Sequence, residues 1–172
     1  MCGVTGFLGG EKSYNLNDSS PIINSMLNKI HHRGPDDHGY WSDSNKGVNL
    51  GHKRLSIVDL SQTGHQPMHS ISKRYVVVFN GEIYNHMKLR QNLVKENKSS
   101  NWVGTSDTET LLAGFDAWGI EKTIAKCIGM FSLAIWDKAN KTLNLIVDRI
   151  GEKPLYYGWQ GRGKTKTFLF GS

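Results

Sequence analysis

The residue whose type and position suggest the most distinctive chemistry is Cys2, the second residue of the chain. An initiator methionine is commonly removed when the next residue is small, and removal of Met1 would leave a thiol and a free α-amine on one residue. An α-amine titrates at about 7.7–8.0, so near neutrality it can accept the thiol proton as a general base. Cys2 could therefore be an N-terminal nucleophile. The alternative interpretation is a small buried residue that opens a strand.

Three further positions carry groups that could bind or polarise a substrate. Asn80-Gly81 is either an ordinary turn or an oxyanion hole, made of the Asn80 amide and the Gly81 N–H. Arg54 is either a surface residue or a bidentate clamp on an α-carboxylate. Asp107 either caps a helix or accepts hydrogen bonds from a substrate α-ammonium.

Composition favours one folded domain and argues against several function classes. The chain has 172 residues, of which 38% are hydrophobic, which suits a single core. The formal charge of +6 suggests binding to nucleic acid. However, the basic residues are spread along the chain and no nucleic-acid-binding signature is visible. No apolar run approaches the roughly 20 residues of a membrane helix, and the N-terminus lacks a signal-peptide pattern. We therefore expect neither a nucleic-acid nor a membrane partner.

The cysteines could form a disulfide, and the histidines and aspartates could bind a metal ion. With Cys2 and Cys127 as the two cysteines and no C-x-x-C motif, a reducing, cytoplasmic compartment is expected. Cys127 lies in an apolar periodic stretch and is predicted to be an inert core thiol. We predict no metal site, because the candidate ligands show neither helical His-x-x-x-His spacing nor a cysteine partner. These candidates are His31, His32, Asp36, Asp37, His38, His65 and His69.

The elements that must position these groups follow an α+β pattern. Strands are predicted over 2–8, 39–41, 48–55 and 74–79, with the last ending at Asn80-Gly81. A first helix is predicted over 20–30, with Ser20 as its N-cap. A second is predicted over 86–96, with Leu89, Leu93 and Val94 turned inward. A third should follow the capping box at 106–109. Two hairpins follow, 130–136 with 142–147 and 155–159 with 167–170. Because strand 130–136 is apolar or small on both faces, we predict sheets covered on both sides, by helices and by another sheet.

A series of segments spread over essentially the whole chain carries a more specific pattern. The segments are Met1-Cys2-Gly3 with Gly6, H-H-R-G-P-D-D at 31–37, R-L-S-I-V-D at 54–59, G-H-Q-P-M at 64–68, F-N-G-E-I-Y-N-H at 79–86, T-S-D-T-E at 105–109, G-M-F at 129–131 and D-R-I-G-E-K-P-L-Y-Y at 148–157. In this order they resemble the class II glutamine amidotransferase domain, specifically that of glutamine-dependent asparagine synthetases.

This resemblance implies a fold and a reaction. The fold would be the four-layer αββα sandwich of N-terminal nucleophile hydrolases. Cys2 would attack the side-chain amide of glutamine, with its own α-amine as base, and water would hydrolyse the resulting thioester. Asn80 and Gly81 would form the oxyanion hole, Arg54 would bind the glutamine carboxylate, and Glu82 and Asp107 would hold the α-ammonium. The full set implied to bind glutamine is Arg54, Leu55, Ser56, Ile57, Val58, Asn80, Gly81, Glu82 and Asp107.

The resemblance also implies a larger protein. Residues 1–172 would be the glutaminase domain, whereas the family continues into a synthetase domain with an S-G-G-x-D-S phosphate loop, a motif that this sequence lacks. We interpret the chain as a piece of such a protein, in which ATP and Mg would serve the synthetase domain and glutamine hydrolysis would need no cofactor. Separation from that domain should expose apolar side chains near Leu155, Tyr156, Tyr157 and Phe170. A homodimer is one option for the assembly.

Several functions stay open at this point. The ammonia acceptor implied by the resemblance is aspartate, but a carboxylated sugar or another carboxylate is an alternative. A catalytically silent regulatory module of the same fold would have no need of the complete set of candidate residues. An N-terminal nucleophile amidase for acylated substrates should lack the charged groups Arg54, Glu82 and Asp107.

Overall fold

The computed structural model describes residues 2–9, 19–55, 62–98 and 101–172 of the chain. These ranges contain the strands β1 (Gly3–Gly9), β2 (Asp37–Asp43), β3 (Val48–Arg54), β4 (Met68–His69), β5 (Tyr75–Ile83), β6 (Gly129–Asp137), β7 (Thr142–Val147), β8 (Tyr156–Gln160) and β9 (Thr167–Gly171). The α-helices are α1 (Ser20–Lys29), α2 (His86–Lys95), α3 (Asp107–Trp118) and α4 (Ile120–Lys126). Short 3₁₀ turns occur at His31–Arg33, Gln62–Gly64 and Gly163–Thr165.

The strands form two antiparallel sheets. The first has the order β2-β3-β1-β9-β8 and the second the order β4-β5-β6-β7. Both predicted hairpins are present, because β6 pairs with β7 and β8 pairs with β9. Strand β1 is central in the first sheet, between β3 and β9, and begins at Gly3. Cys2 therefore lies at the end of a strand that is held on both sides.

Apolar side chains fill the space between the sheets and beneath the helices. Val76 and Val78 of β5 face the first sheet, whereas Val77 and Phe79 face the helices, which explains the continuous apolar run in this strand. On the outer face of the first sheet, α1 packs through Ile23 and Leu27. The layers thus follow the order helix, sheet, sheet, helix. The predicted αββα sandwich is confirmed, although the edge strand β8 is largely exposed.

The start of α3 is fixed by the predicted capping box. Ser106 is the N-cap, and its Oγ accepts the Glu109 N–H at 3.2 Å. The Glu109 carboxylate accepts the N–H groups of Val103 at 2.7 Å and Gly104 at 3.1 Å, rather than that of Ser106. This network places Asp107 in the first turn of the helix, where its side chain is buried.

Arg90 of α2 connects α2 to the start of α3. Its guanidinium donates to Thr110 Oγ1 at 2.8 Å, to the carbonyl oxygens of Gly104 at 2.9 Å and Ser106 at 2.8 Å, and to Glu109 at 3.2 Å. The side chain is buried. A buried cation with this many partners cannot be removed without leaving several acceptors unpaired.

We therefore expect Arg90→Met to lower the free energy of unfolding by about 3 kcal/mol. The measurement is urea denaturation of the variant and the parent, analysed at equal slope. The matched control is Lys98→Met, since Lys98 pairs with Glu96 in an exposed ion pair, and such pairs contribute little. Equal effects of the two substitutions would contradict the anchoring role of Arg90.

Three details of the predicted helices are wrong. Ser19, not Ser20, occupies the N-cap of α1, and its Oγ donates to Asn49 Oδ1 at 2.6 Å instead of capping the helix. Val94 is exposed, because α2 turns Leu89, Arg90 and Leu93 inward. Helix α4 was not predicted.

None of the helices in the described ranges is long and apolar enough to cross a membrane.

The C-terminal strands differ in how much apolar surface they expose. Tyr156 and Tyr157 of the edge strand β8 are 71% and 72% exposed, as predicted. Phe170 of β9 is buried, so its predicted exposure is wrong. The reason is that Phe170 faces the second sheet and packs in the cluster between the two sheets.

Candidate active site

An open pocket lies where the ends of β1 and β3, the later part of β5 and the first turn of α3 meet. It brings together the predicted site residues Cys2, Arg54, Leu55, Asn80, Gly81, Glu82 and Asp107. Ser56, Ile57 and Val58, which were also predicted, lie outside the described residues. Residues that are more than 100 positions apart in the sequence therefore line one cavity.

Cys2 is half-buried, and its sulfur is held by the backbone of Leu55. The Leu55 N–H donates to Sγ at 3.4 Å, and Sγ lies 3.6 Å from the Leu55 carbonyl oxygen. The antiparallel pairing of Gly3 with Lys53 sets this alignment. The thiol thus occupies a defined position in the wall of the pocket.

The segment Asn80-Gly81 is not a turn. Strand β5 continues through it to Ile83, with Asn80 opposite Ser132 and Gly81 opposite Phe131. The prediction that the strand ends at Asn80-Gly81 is therefore wrong, and so is the turn interpretation. Gly81 has a φ of 156°, and a side chain there would collide with the Met130 carbonyl oxygen and the backbone of Phe131. The position requires glycine because β6 passes so close.

The backbone amide of Gly81 points away from β6. Phe131, its partner in register, donates its own N–H to Asp148 Oδ2 at 3.0 Å, and its carbonyl oxygen accepts the Asp148 N–H at 2.8 Å. In an antiparallel ladder, two facing residues whose backbone groups bind outward are a non-hydrogen-bonded pair. The Gly81 N–H therefore lies on the opposite edge of β5, which borders the pocket.

Two side chains bind the neighbouring amides along this edge. The Phe79 N–H donates to Gln66 Oε1 at 2.7 Å, and the Ile83 N–H donates to Asp107 Oδ2 at 2.9 Å. Gly81 lies between these residues with the same orientation, since backbone groups alternate along a strand. A ligand in the pocket can reach this amide.

Asn80 places a second donor in the same region. Its side chain is buried, and within the described ranges its Nδ2 has no hydrogen-bond partner. An unpaired buried donor costs about 1–3 kcal/mol, so such groups are rare unless a ligand or an ion satisfies them. Asn80 Nδ2 and Gly81 N–H thus offer two adjacent donors for one oxygen.

The charged side chains of the pocket suit a ligand that carries both charges. Arg54 is buried, and its guanidinium packs against Gly64, where any side chain would collide with it. Glu82 and Asp107 contribute carboxyl groups. Burial raises the pKa of Asp107 above its usual value, although the hydrogen bond from the Ile83 N–H opposes this. Arg54 and these two acidic groups complement an α-carboxylate and an α-ammonium.

The whole chain, residues 1–172, matches the family model of the glutamine amidotransferase domain. The chain belongs to this family. Asparagine synthetase [glutamine-hydrolyzing] 1 of Bacillus subtilis is 40% identical over 157 residues, which are 91% of this chain and 24% of that protein. Amidase chry2 of Gibberella zeae is 38% identical over 164 residues, again 91% of this chain and 24% of the relative. The chain thus spans about a quarter of the length of these curated relatives.

A solved structure supports the fold of this glutamine amidotransferase domain. Glutamine phosphoribosylpyrophosphate (PRPP) amidotransferase from B. subtilis, complexed with ADP and GMP, matches with a TM-score of 0.76. The match covers 99% of this chain and 41% of that chain at 22% identity. At this identity the likeness concerns the fold alone. It agrees with the αββα layers described above.

Other residues of the amidotransferase pocket were not predicted. They are His52, Gly64, Gln66, Phe79, Ser106, Thr108, Met130 and Lys153. For His52 a signal existed, because it lies two residues before Arg54 on the same strand and so on the same face. Burial lowers the pKa of His52 to about 4, so the ring is neutral near neutral pH.

Lys153 enters the pocket from the loop after β7. Asp148 holds this loop, since its carboxylate accepts the N–H groups of Ile150 at 3.0 Å, Glu152 at 3.2 Å and Lys153 at 3.3 Å. The Lys153 side chain is buried. The sequence segment 148–157 was part of the family resemblance, but nothing in its composition indicated that a lysine would line the pocket.

Proposed function

We propose that this domain hydrolyses L-glutamine to L-glutamate and ammonia through a thioester on Cys2. The observation that supports this most is that a single pocket groups the Cys2 thiol, two hydrogen-bond donors for an oxyanion, and side chains of both charges. A nucleophile, a site for the negative oxygen and a clamp for a free amino acid are what amide hydrolysis of glutamine requires. Family membership of the whole chain points in the same direction.

Substrate binding would use the charged residues. Arg54 would bind the α-carboxylate in a bidentate manner, and Glu82 and Asp107 would accept hydrogen bonds from the α-ammonium. Leu55 lines the same wall, and the predicted contacts of Ser56, Ile57 and Val58 complete this proposal. In this orientation the side-chain amide of glutamine would extend towards Cys2 and Asn80.

The chemical steps follow from Cys2 and the two donors. After removal of Met1, the α-amine of Cys2 takes the thiol proton, and Sγ attacks the amide carbon. The amide oxygen becomes an oxyanion, bound by Asn80 Nδ2 and Gly81 N–H. The protonated amine then gives its proton to the departing nitrogen, which leaves as ammonia, and a γ-glutamyl thioester remains. Water, deprotonated by the same amine, attacks the thioester, and the proton returns to sulfur as glutamate leaves.

The role of Arg54 predicts an effect mainly on substrate binding. Arg54→Lys keeps the charge but loses the planar pair of donors, so we expect the KM for glutamine to rise by roughly 10-fold or more, with a smaller change in kcat. Steady-state kinetics of glutamate release measures both constants. Arg162→Lys is the matched control, because Arg162 is exposed and lies outside the pocket. An unchanged KM in Arg54→Lys would show that Arg54 does not bind the substrate.

For the whole protein we propose transfer of the ammonia to aspartate, giving asparagine. Support comes from relatives named asparagine synthetases, of which this chain spans about a quarter. ATP and Mg would be used by a synthetase domain covalently attached to this one, in the cytoplasm. Another acceptor, such as a carboxylated sugar or a different carboxylate, is the alternative, since one relative is named an amidase and not an asparagine synthetase.

The division of labour can be tested on the 172-residue chain. It is incubated with glutamine, ATP, Mg²⁺ and aspartate, while glutamate, asparagine and pyrophosphate are followed separately. We expect glutamate and ammonia alone. Formation of asparagine or pyrophosphate would contradict the assignment of the synthetase chemistry to another domain. No glutamate release from a folded chain without Met1 would favour the silent regulatory module.

A further inference from the structure

We propose that His52 and Gln66 are positioning residues, which hold the oxyanion hole in place by binding both backbone groups of Phe79. This inference rests on the proposed glutaminase function, and it assigns to two residues a task that the family resemblance did not. Gln66 Oε1 accepts the Phe79 N–H at 2.7 Å, and His52 Nε2 lies 3.0 Å from the Phe79 carbonyl oxygen. Phe79 directly precedes Asn80, so both bonds fix the backbone next to the first donor of the oxyanion hole.

Within the part of the chain that the structure describes, strand pairing holds this part of β5 on one edge only. Strand β4 pairs only with Val76 and Val77. Among the described residues, no strand pairs with β5 beyond Val77 on the edge that faces the pocket. The backbone groups of Phe79 on this edge are bound by side chains instead. The oxyanion donors therefore lie on a strand segment that β6 holds on one edge and that His52 and Gln66 hold on the other.

Burial makes these bonds strong and specific. His52, Gln66 and Phe79 are all buried, so water does not compete for the hydrogen bonds. Because His52 Nε2 faces a carbonyl oxygen, this nitrogen must carry the proton and donate. Burial lowers the pKa of His52, so the ring makes this bond as the neutral Nε2–H tautomer. A carboxylate or an apolar residue at position 52 could not hold the Phe79 carbonyl.

Gln66 also joins the oxyanion side of the pocket to α3. Its Nε2 donates to the Oγ1 of Thr108 at 3.3 Å. Thr108 follows Asp107, and the Asp107 carboxylate accepts the Ile83 N–H at 2.9 Å. The segment 80–82 is therefore held at both ends, by Gln66 and His52 before it and by Asp107 after it. A displacement of Phe79 would move the donors relative to the sulfur, while Arg54 on β3 and Asp107 on α3 stay in place to bind glutamine.

The expected signature is a loss of turnover without a comparable loss of substrate binding. An oxyanion forms only along the reaction path, so a misplaced hole affects the transition state more than the bound substrate. Gln66→Met and His52→Phe remove one bond to Phe79 each, and we expect kcat to fall by on the order of 10-fold with KM changed less than about 3-fold. Gln66→Glu keeps an acceptor and His52→Gln keeps a donor, so each should retain more turnover than its apolar counterpart.

The experiment compares these four variants with the parent and with Thr123→Val. Thr123 is buried in α4, away from the pocket, and its Oγ1 donates to Gly119 O at 2.8 Å, so this control loses a buried hydrogen bond without touching β5. Kinetics give kcat and KM. Inhibition by the γ-aldehyde analogue of glutamine, which forms a tetrahedral adduct with a thiol, gives the strength of the oxyanion hole. Thermal melting of each variant checks folding.

The inference is supported when the apolar variants lose kcat and aldehyde affinity together, KM stays close to the parent, and Thr123→Val behaves as the parent. It is overturned when a folded Gln66→Met or His52→Phe keeps the parent kcat, or when Thr123→Val loses as much kcat. The two positions are independent, so either pair that folds decides the question. A parent chain without Met1 that releases no glutamate would instead refute the proposed function.

Discussion

Replacing Cys2 with alanine should lower glutamate release by roughly 10⁴-fold or more. The sulfur forms the covalent bond to the substrate in the proposed reaction, and the Leu55 backbone holds it in the wall of the pocket. The substitution removes only a half-buried thiol, so the fold should persist. A coupled assay for glutamate, with melting temperature as a check on folding, measures the effect.

The second cysteine provides the matched control. Cys127 is fully buried, and burial raises the pKa of its thiol to about 12. Cys127→Ala should therefore keep kcat, although it loses core packing. A diazoketone analogue of glutamine should label Cys2 alone, as peptide mapping would show. Labelling at Cys127, or turnover that survives Cys2→Ala, would exclude Cys2 as the nucleophile.

Asn80→Ala should lower kcat by roughly 10²- to 10³-fold with little change in KM. The reason is that Asn80 Nδ2 is buried next to the Gly81 amide and, among the described residues, has no partner of its own. In the proposed reaction it gains one when the oxyanion forms. Initial rates over a range of glutamine concentrations separate the two constants.

Asn144→Ala is the control for this substitution, because Asn144 lies on β7 of the same sheet, outside the pocket. It should behave as the parent in both constants. If Asn80→Ala raised KM and left kcat unchanged, Asn80 would bind the ground state of the substrate. That result would contradict its place in the oxyanion hole.

Local sequence signals predicted the elements well where no distant partner competes. The capping box at Ser106 and both hairpins are of this kind. At Asn80-Gly81 the local signal failed, because pairing with β6 holds the dipeptide extended. Tertiary hydrogen bonding along a strand outweighs the turn preference of a dipeptide.

The composition of the pocket was predicted only in part, because it depends on how the two sheets are placed. Alternation along β3 could have indicated His52 beside Arg54. No pattern in the sequence could show that Gln66 binds the amide of Phe79, since the register of the loop before β4 is set by tertiary contacts. The same holds for Lys153, whose loop is shaped by the carboxylate of Asp148.

The central claim is that Cys2 acts with its own α-amine, and one measurement tests it most directly. Two preparations of the chain are compared, one with Met1 removed and one that retains it, with intact mass used to verify each N-terminus. Glutamate release per mole of folded protein is then measured on both. The account predicts that only the chain that starts at Cys2 turns over glutamine, and that acid quenching traps a γ-glutamyl group on it. Equal activity in the chain that retains Met1 would contradict the self-base mechanism.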